Sequence, residues 1–113
     1  NGHLVFIGST AQKGAAKFAT YAATKSALDG LARSIWAEWR GDVLGSVIHP
    51  GPTRTTMHAK AGLKLGATHM LFMPTKRAAK AIVRSIRNRE RRRLLTRSYG
   101  WGSMFTRMRE DKL

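Results

Sequence analysis

A chain of 113 residues that is 42% hydrophobic has material for one small domain with a modest core, and not for two. Its formal charge of +15, from 21 Lys+Arg against 6 Asp+Glu, points towards an anionic partner such as nucleic acid, a lipid headgroup or a phosphorylated ligand. Cysteine is absent, which excludes disulfide staples, thiolate metal sites and cysteine nucleophiles together.

The distribution of charge tempers the first impression. Residues 76–113 carry 13 basic and 3 acidic groups, whereas the first 75 carry 8 and 3, so the excess is mainly a C-terminal property. No apolar run approaches the ~18 to 20 residues that cross a bilayer, and no basic-then-apolar leader opens the chain. The expectation is a soluble, cytoplasmic protein, at most peripheral at a membrane surface. Because the sequence starts on Asn1 and already reads as a strand in mid-stride, a piece of a longer polypeptide is expected.

His3 to Gly8, HLVFIG, is a short apolar run without alternation, the pattern of a strand buried on both faces in a parallel sheet. Small and polar residues follow from Ser9 to Lys17. From about Phe18 to Arg40 the pattern is helical, with Ala19, Ala22, Ala23, Ala27, Leu28, Leu31, Ile35 and Trp39 near 3.6 spacing and Lys25, Asp29, Arg33 and Arg40 at more polar positions. Gly41 stops it. Val43 to His49 is a second β-branched run, closed by Pro50-Gly51-Pro52 because proline cannot continue a ladder.

Strand, long helix and strand, joined by short connections, form a βαβ unit with a right-handed crossover. Beyond it, Thr55 to Gly66 suggests a short helix in a loop. Pro74-Thr75 starts a helix through about Asn88, with Ala78, Ala79, Ile82, Val83 and Ile86 on one face, and Arg93 to Thr96 is a candidate third strand. The fold class is therefore α/β, in the order strand-helix-strand-helix-strand.

Tyr21 and Lys25 are four residues apart on the first helix, so their side chains leave the same face one turn apart. A free phenol is too weak an acid for neutral pH, and a cation held beside it favours its ionised form, which suits proton exchange with a carbonyl or alcohol oxygen. The pair is cheap on its own. With 8 lysines in 113 residues, roughly one tyrosine in fifteen has such a neighbour by chance. Context changes the balance, because Ser9 follows the end of the first strand, Pro50-Gly51 ends the second, and ligands of open α/β sheets lie at the carboxyl ends of strands.

This combination, IGST with Ser9, YAATKSAL with Tyr21 and Lys25, and VIHPGPTRTTM with Pro50, Gly51 and Thr55, resembles the short-chain dehydrogenase/reductase family. Residues 1–60 match well, 74–96 only by helix-then-strand order, and 97–113 form a basic tail. The resemblance implies the C-terminal part of a doubly wound, Rossmann-type NAD(P)-binding domain over 1–113, transferring hydride between a nicotinamide and a carbonyl or secondary alcohol. It implies that Ser9 orients the substrate oxygen and that Tyr21 is the general acid in reduction and the general base in oxidation. Lys25 would bind the nicotinamide ribose and favour the ionised Tyr21, while Pro50, Gly51, Thr53 and Thr55 would line the nicotinamide side of the pocket. NAD and NADP stand as equal expectations, since the glycine-rich dinucleotide turn, the residue that selects the cofactor and an Asn of the proton relay have no counterpart. The chain alone is expected to be inactive.

Plainer roles stand beside these. Ser9 can be a loop or cap hydroxyl, and Thr53, Thr55 or Thr56 can cap the next helix. Met57, Met70, Leu71, Phe72 and Met73 suit either a substrate loop or the core. His3, His49, His58 and His69 have no metal-site spacing, and His49 reads as a packed strand end. In the family, the 18–40 helix commonly packs on its copy in a partner subunit, which implies a homo-oligomer through Ala22, Ala23 and Ala27. The run Arg87 to Arg97 keeps open a second class of function, a basic surface-binding module. Its aromatics follow rather than interleave, which favours a membrane surface over nucleic acid. An inactive truncated product is the third reading.

Overall fold

The computed structural model describes residues 2–54, 60, 62 and 72–96. Strand β1 spans Gly2–Ile7, a 3-10 turn Thr10–Lys13, helix α1 Ala19–Glu38 and strand β2 Val43–Pro50. Helix α2 (Thr75–Arg87) and strand β3 (Arg92–Leu95) complete the order, so the strand-helix-strand-helix-strand expectation holds. The Thr55–Gly66 helix, Thr55 and Thr56, and the 97–113 tail lie outside the described residues, apart from Lys60 and Gly62.

Local chemistry explains the elements. Helix α1 is rich in alanine, the best helix former, and contains no proline. Just beyond it Gly41 adopts a φ of 97°, a left-handed conformation that costs glycine little and turns the chain back into β2. Proline 74 leads into α2 with the fixed φ that suits a helix entry.

The three strands are parallel and ordered β1-β2-β3, with Gly2 opposite Val43 through Ile7 opposite Ile48, and Val47 opposite Arg92 through Pro50 opposite Leu95. Residues 45–49 of β2 are all buried, because a helix covers each face of the strand. Alternation along the strand assigns the faces. Gly45 lies against α1, where the Ala32 carbonyl oxygen stands 2.5 Å from the position a Cβ would take. His49, four residues on, meets Asp29 of the same helix. Ile48 points the other way, into a cluster with Met73, Ala78 and Leu95 against which Val5, Ala81 and Ile82 pack.

Helices on opposite faces make the sheet doubly wound. Both connections step across it in the same direction, so the two crossovers have opposite hands, and one of them departs from the right-handed preference of about 98% for such units. No helix among the described residues is long and apolar enough to cross a membrane.

Both helices are rotated from the faces that their apolar residues suggest. In α1 the buried positions are Ala22, Ala32 and Ile35, while Leu31 and Trp39 are exposed, as are Ala23 and Ala27. Asp29, expected among the polar positions, is turned towards the sheet, where it finds partners on two strands. In α2 the inward stripe is Ala78, Ala81, Ile82 and Ser85, which leaves Val83 and Ile86 outside. Near the C-terminal end of α1, two guanidinium groups lie over the Trp36 ring, Arg91 3.6 Å and Arg40 4.6 Å from its centroid.

Candidate functional site

Parallel strands bring their carboxyl ends to one rim, so Ile7, Pro50 and Leu95 mark a single edge of the sheet. Ser9 lies just past Ile7 in extended conformation and caps the 3-10 turn, its Oγ accepting from the Ala11 N–H at 3.1 Å. The cap reading of Ser9 is thus what the geometry displays, and it leaves the hydroxyl proton available to another acceptor. A hydrogen bond from Ser26 Oγ to the Gln12 carbonyl ties the turn to α1.

Helix α1 starts two residues before Tyr21. Its second turn carries Lys25, whose Nζ donates to the Ile7 carbonyl at 3.1 Å, where β1 ends. The same ammonium lies 5.7 Å from the centroid of the Tyr21 ring, within cation-π range. Phe18 meets Tyr21 edge-on, with ring centroids 6.4 Å apart, and Tyr21 remains half-buried. One lysine therefore joins the phenol to the rim, through geometry that the four-residue spacing made possible.

Across the rim, the Gly51 N–H donates to the Leu95 carbonyl at 2.6 Å, which carries the ladder one residue past Pro50. Thr53 Oγ1 donates back to the Gly51 carbonyl at 3.0 Å, closing a local turn, and Thr53 also bridges to Met73. Met73, open to either role from sequence, is 4% exposed and belongs to the core. Ser9, Lys25 and the Pro50-Gly51 turn thus occupy the same edge, with Tyr21 beside Lys25.

His49 is more than a packed strand end. It is fully buried, its Nδ1 accepts from the Ser9 N–H at 3.1 Å, and its Nε2 stands 3.0 Å from Asp29 Oδ2, in ion-pair range though without the alignment of a standard hydrogen bond. Arg92 Nε donates to Asp29 Oδ1 at 2.7 Å. Burial by itself would raise the Asp29 pKa; the hydrogen bond from Arg92, the close contact with His49 and the positive charge nearby outweigh it and hold the carboxyl below its usual range. Spacing reasoning passed over Asp29 and Arg92. The available signal was Asp29 following Tyr21 and Lys25 at the same four-residue interval, which puts it on the stripe that faces the strands.

His3 sits at the other end of β1, with Nε2 2.8 Å from Ser46 Oγ. Burial, then the charge of Arg89, lowers its pKa. Among the described residues no cluster of three His, Asp or Glu side chains is placed to hold a metal. His58 and His69 fall outside them.

With strands, helices and rim in place, comparison with known proteins gives the class. Residues 1–66 match the family model for short chain dehydrogenases. The chain belongs to the short-chain dehydrogenase family. Among solved structures it is similar to a short-chain dehydrogenase from Sphingobium yanoikuyae in complex with NADPH, at a TM-score of 0.73 and 23% sequence identity. That match covers 83% of this chain and 37% of the other, so the chain spans well under half the length of that structure. No curated protein matches.

Proposed function

We propose that the protein carrying this chain is an NAD(P)-dependent oxidoreductase that interconverts a carbonyl and a secondary alcohol, with Tyr21 as its acid/base. The observation that supports it most is Lys25, whose single ammonium joins the end of β1 to the Tyr21 ring. Bound at this rim, a nicotinamide supplies or accepts the hydride. Tyr21 Oη, which takes no hydrogen bond from the described residues, gives its proton to the carbonyl oxygen in reduction and takes one from the alcohol in oxidation. Ser9 Oγ donates its free proton to the same oxygen and holds it in place.

The donor set suits a nicotinamide riboside. Lys25 uses one of its three N–H groups on Ile7, which leaves two for a vicinal diol. At Gly51 a Cβ would stand 2.9 Å from the Leu95 carbonyl oxygen, so glycine lets the Pro50-Gly51-Thr53 turn lie close against the end of β3 beside the rim. Thr55 remains part of the proposal through its sequence position.

Tyr21→Phe in the protein at its natural length tests the reading. NADPH- or NADH-dependent turnover should fall by about 10² to 10⁴-fold, the usual worth of a positioned acid/base, while cofactor binding followed by fluorescence stays within about twofold. Turnover equal to wild type would overturn the assignment.

A second reading has its own observation. Along α2, Arg77, Lys80, Arg84 and Arg87 line a groove that reaches down to Ala81 and to the buried Arg93 of β3, and Val83 and Ile86 are exposed on the same helix. Such a basic, partly apolar face suits the headgroup layer of an anionic membrane. Salt-sensitive binding to phosphatidylserine vesicles would support it, and equal binding to neutral vesicles would remove it.

A further inference from the structure

The proposed chemistry leaves one buried titratable group unused. His49 has no solvent exposure, yet both of its ring nitrogens are engaged, one by Ser9 and the other by Asp29. An amide N–H only donates, so Nδ1 must be the accepting nitrogen and the ring proton must sit on Nε2, facing the Asp29 carboxylate. Asp29 is itself fixed from the other side by Arg92. The chain Arg92–Asp29–His49–Ser9 therefore runs from β3 through α1 and β2 to the second residue after β1.

We propose that His49, held by Asp29 and Arg92, is a positioning residue that aims the Ser9 hydroxyl by anchoring the Ser9 backbone. The proposal rests on the oxidoreductase reading for its catalytic consequence, and on geometry alone for the anchoring. Three features converge on it. Among the described residues the Ser9 N–H, past the end of β1, meets no strand carbonyl, and its acceptor is His49. With the N–H on His49 and one Oγ lone pair taken by Ala11, the backbone and the oxygen of Ser9 are both held, and only the hydroxyl proton is left to serve a ligand.

The third feature is Gly8. A Cβ built there would fall 2.1 Å from His49 Nδ1 and 2.5 Å from Cε1, so the imidazole occupies the space a side chain would need. Glycine at position 8 lets the ring reach the Ser9 amide. A plain packing role for His49 would need neither that close approach nor the carboxylate behind it. The facing charged groups are Asp29 on α1 and, through it, Arg92 on β3; the segment after β1 presents the Gly8 and Ser9 backbone.

Two substitutions separate anchoring from packing. In His49→Asn the amide oxygen takes the place of Nδ1 and keeps an acceptor for Ser9; His49→Leu fills the space without one. Hydrogen exchange at the Ser9 amide, measured at the natural length of the protein, should rise about tenfold or more in His49→Leu and stay near wild type in His49→Asn. NADPH oxidation with a small aromatic ketone should lose about tenfold in kcat in His49→Leu with the KM for NADPH unchanged, and recover most of it in His49→Asn, since a modest misplacement near a reacting group costs this order.

If His49→Leu fails to fold by circular dichroism, Gly8→Ala displaces the ring without altering it and should expose the Ser9 amide in the same way. Unchanged Ser9 exchange in the folded variant overturns the anchoring, and equal kcat losses in His49→Asn and His49→Leu overturn the aiming. Absence of NADPH oxidation in the wild type, or full activity of Tyr21→Phe, counts against the oxidoreductase reading instead, and the exchange comparison then still decides the role of His49.

Discussion

The two halves of this small sheet spend their residues differently. From β1 to β2 the polar side chains are drawn to the rim: Ser9, Lys25, Asp29 and His49 bind backbone or one another there. From α2 to β3 the inward residues are mainly apolar, with Met73, Ala78 and Leu95 packed on Ile48. Strand β2 serves both, presenting His49 to one half and Ile48 to the other. The rim of the sheet can be polar and buried at once because the opposite face of the same strand supplies the apolar packing that keeps it in register.

The largest effect should come from the strand that both halves share. Ile48→Ala removes a side chain that is 1% exposed, and a loss of about 2 to 5 kcal/mol of unfolding free energy is expected in urea titration. If the Ser9 amide keeps its protection in a folded Ile48→Ala sample, the two faces of β2 act independently; if it loses it, the halves are coupled through the strand.

Next in size is the acid sensitivity carried by Asp29. Its folded pKa is depressed, so its contribution to stability is full above the unfolded carboxylate value of about 3.9 and disappears as pH falls through the lower folded value. Asp29→Asn should be less stable than wild type at pH 7, and the difference should shrink as pH falls below about 4. A gap that stays constant between pH 7 and pH 3 would deny Asp29 its ionic role and blur the contrast between the halves.

The smallest effect is expected on the outside of α2. Val83 is 45% exposed, and Val83→Ser should change stability by no more than about 0.5 kcal/mol. A cost comparable to that of Ile48→Ala would mean that this face is covered in the protein at its natural length.

Much of the polar half was legible beforehand. The end of β2 is written in Pro50-Gly51 and the end of α1 in Gly41, and the described strands and α-helices begin and end within two residues of those expected, while the 3-10 turn Thr10–Lys13 was not foreseen. The family resemblance then drew Ser9, Tyr21, Lys25 and Pro50-Gly51 into one group, and the sheet sets Ser9, Lys25 and Pro50-Gly51 along one edge. Helix faces were harder. Counting apolar residues assumes that charge faces water, and Asp29 breaks the assumption because its partners, His49 and Arg92, are 20 and 63 residues away in sequence. Spacing shows which side chains share a face, but not which strand will meet that face with a matching charge.

The α2 stripe shows the same limit from the apolar side. Val83 and Ile86 look like core by composition, yet Ser85 takes the buried position on this helix. The opposite hands of the two crossovers had no signature at all, since handedness lies in which face a helix takes and not in its residues.

The Arg91–Trp36–Arg40 cluster gives the molecule an optical gauge of its own assembly. Arg91 immediately precedes β3, whereas Trp36 and Arg40 belong to α1 and its end, so the indole meets the Arg91 guanidinium when the last strand is docked. Trp39 is exposed and its emission should be that of an indole in water. A blue-shifted or quenched component from Trp36 would thus read out the joining of the two halves in real time, during refolding as well as at equilibrium.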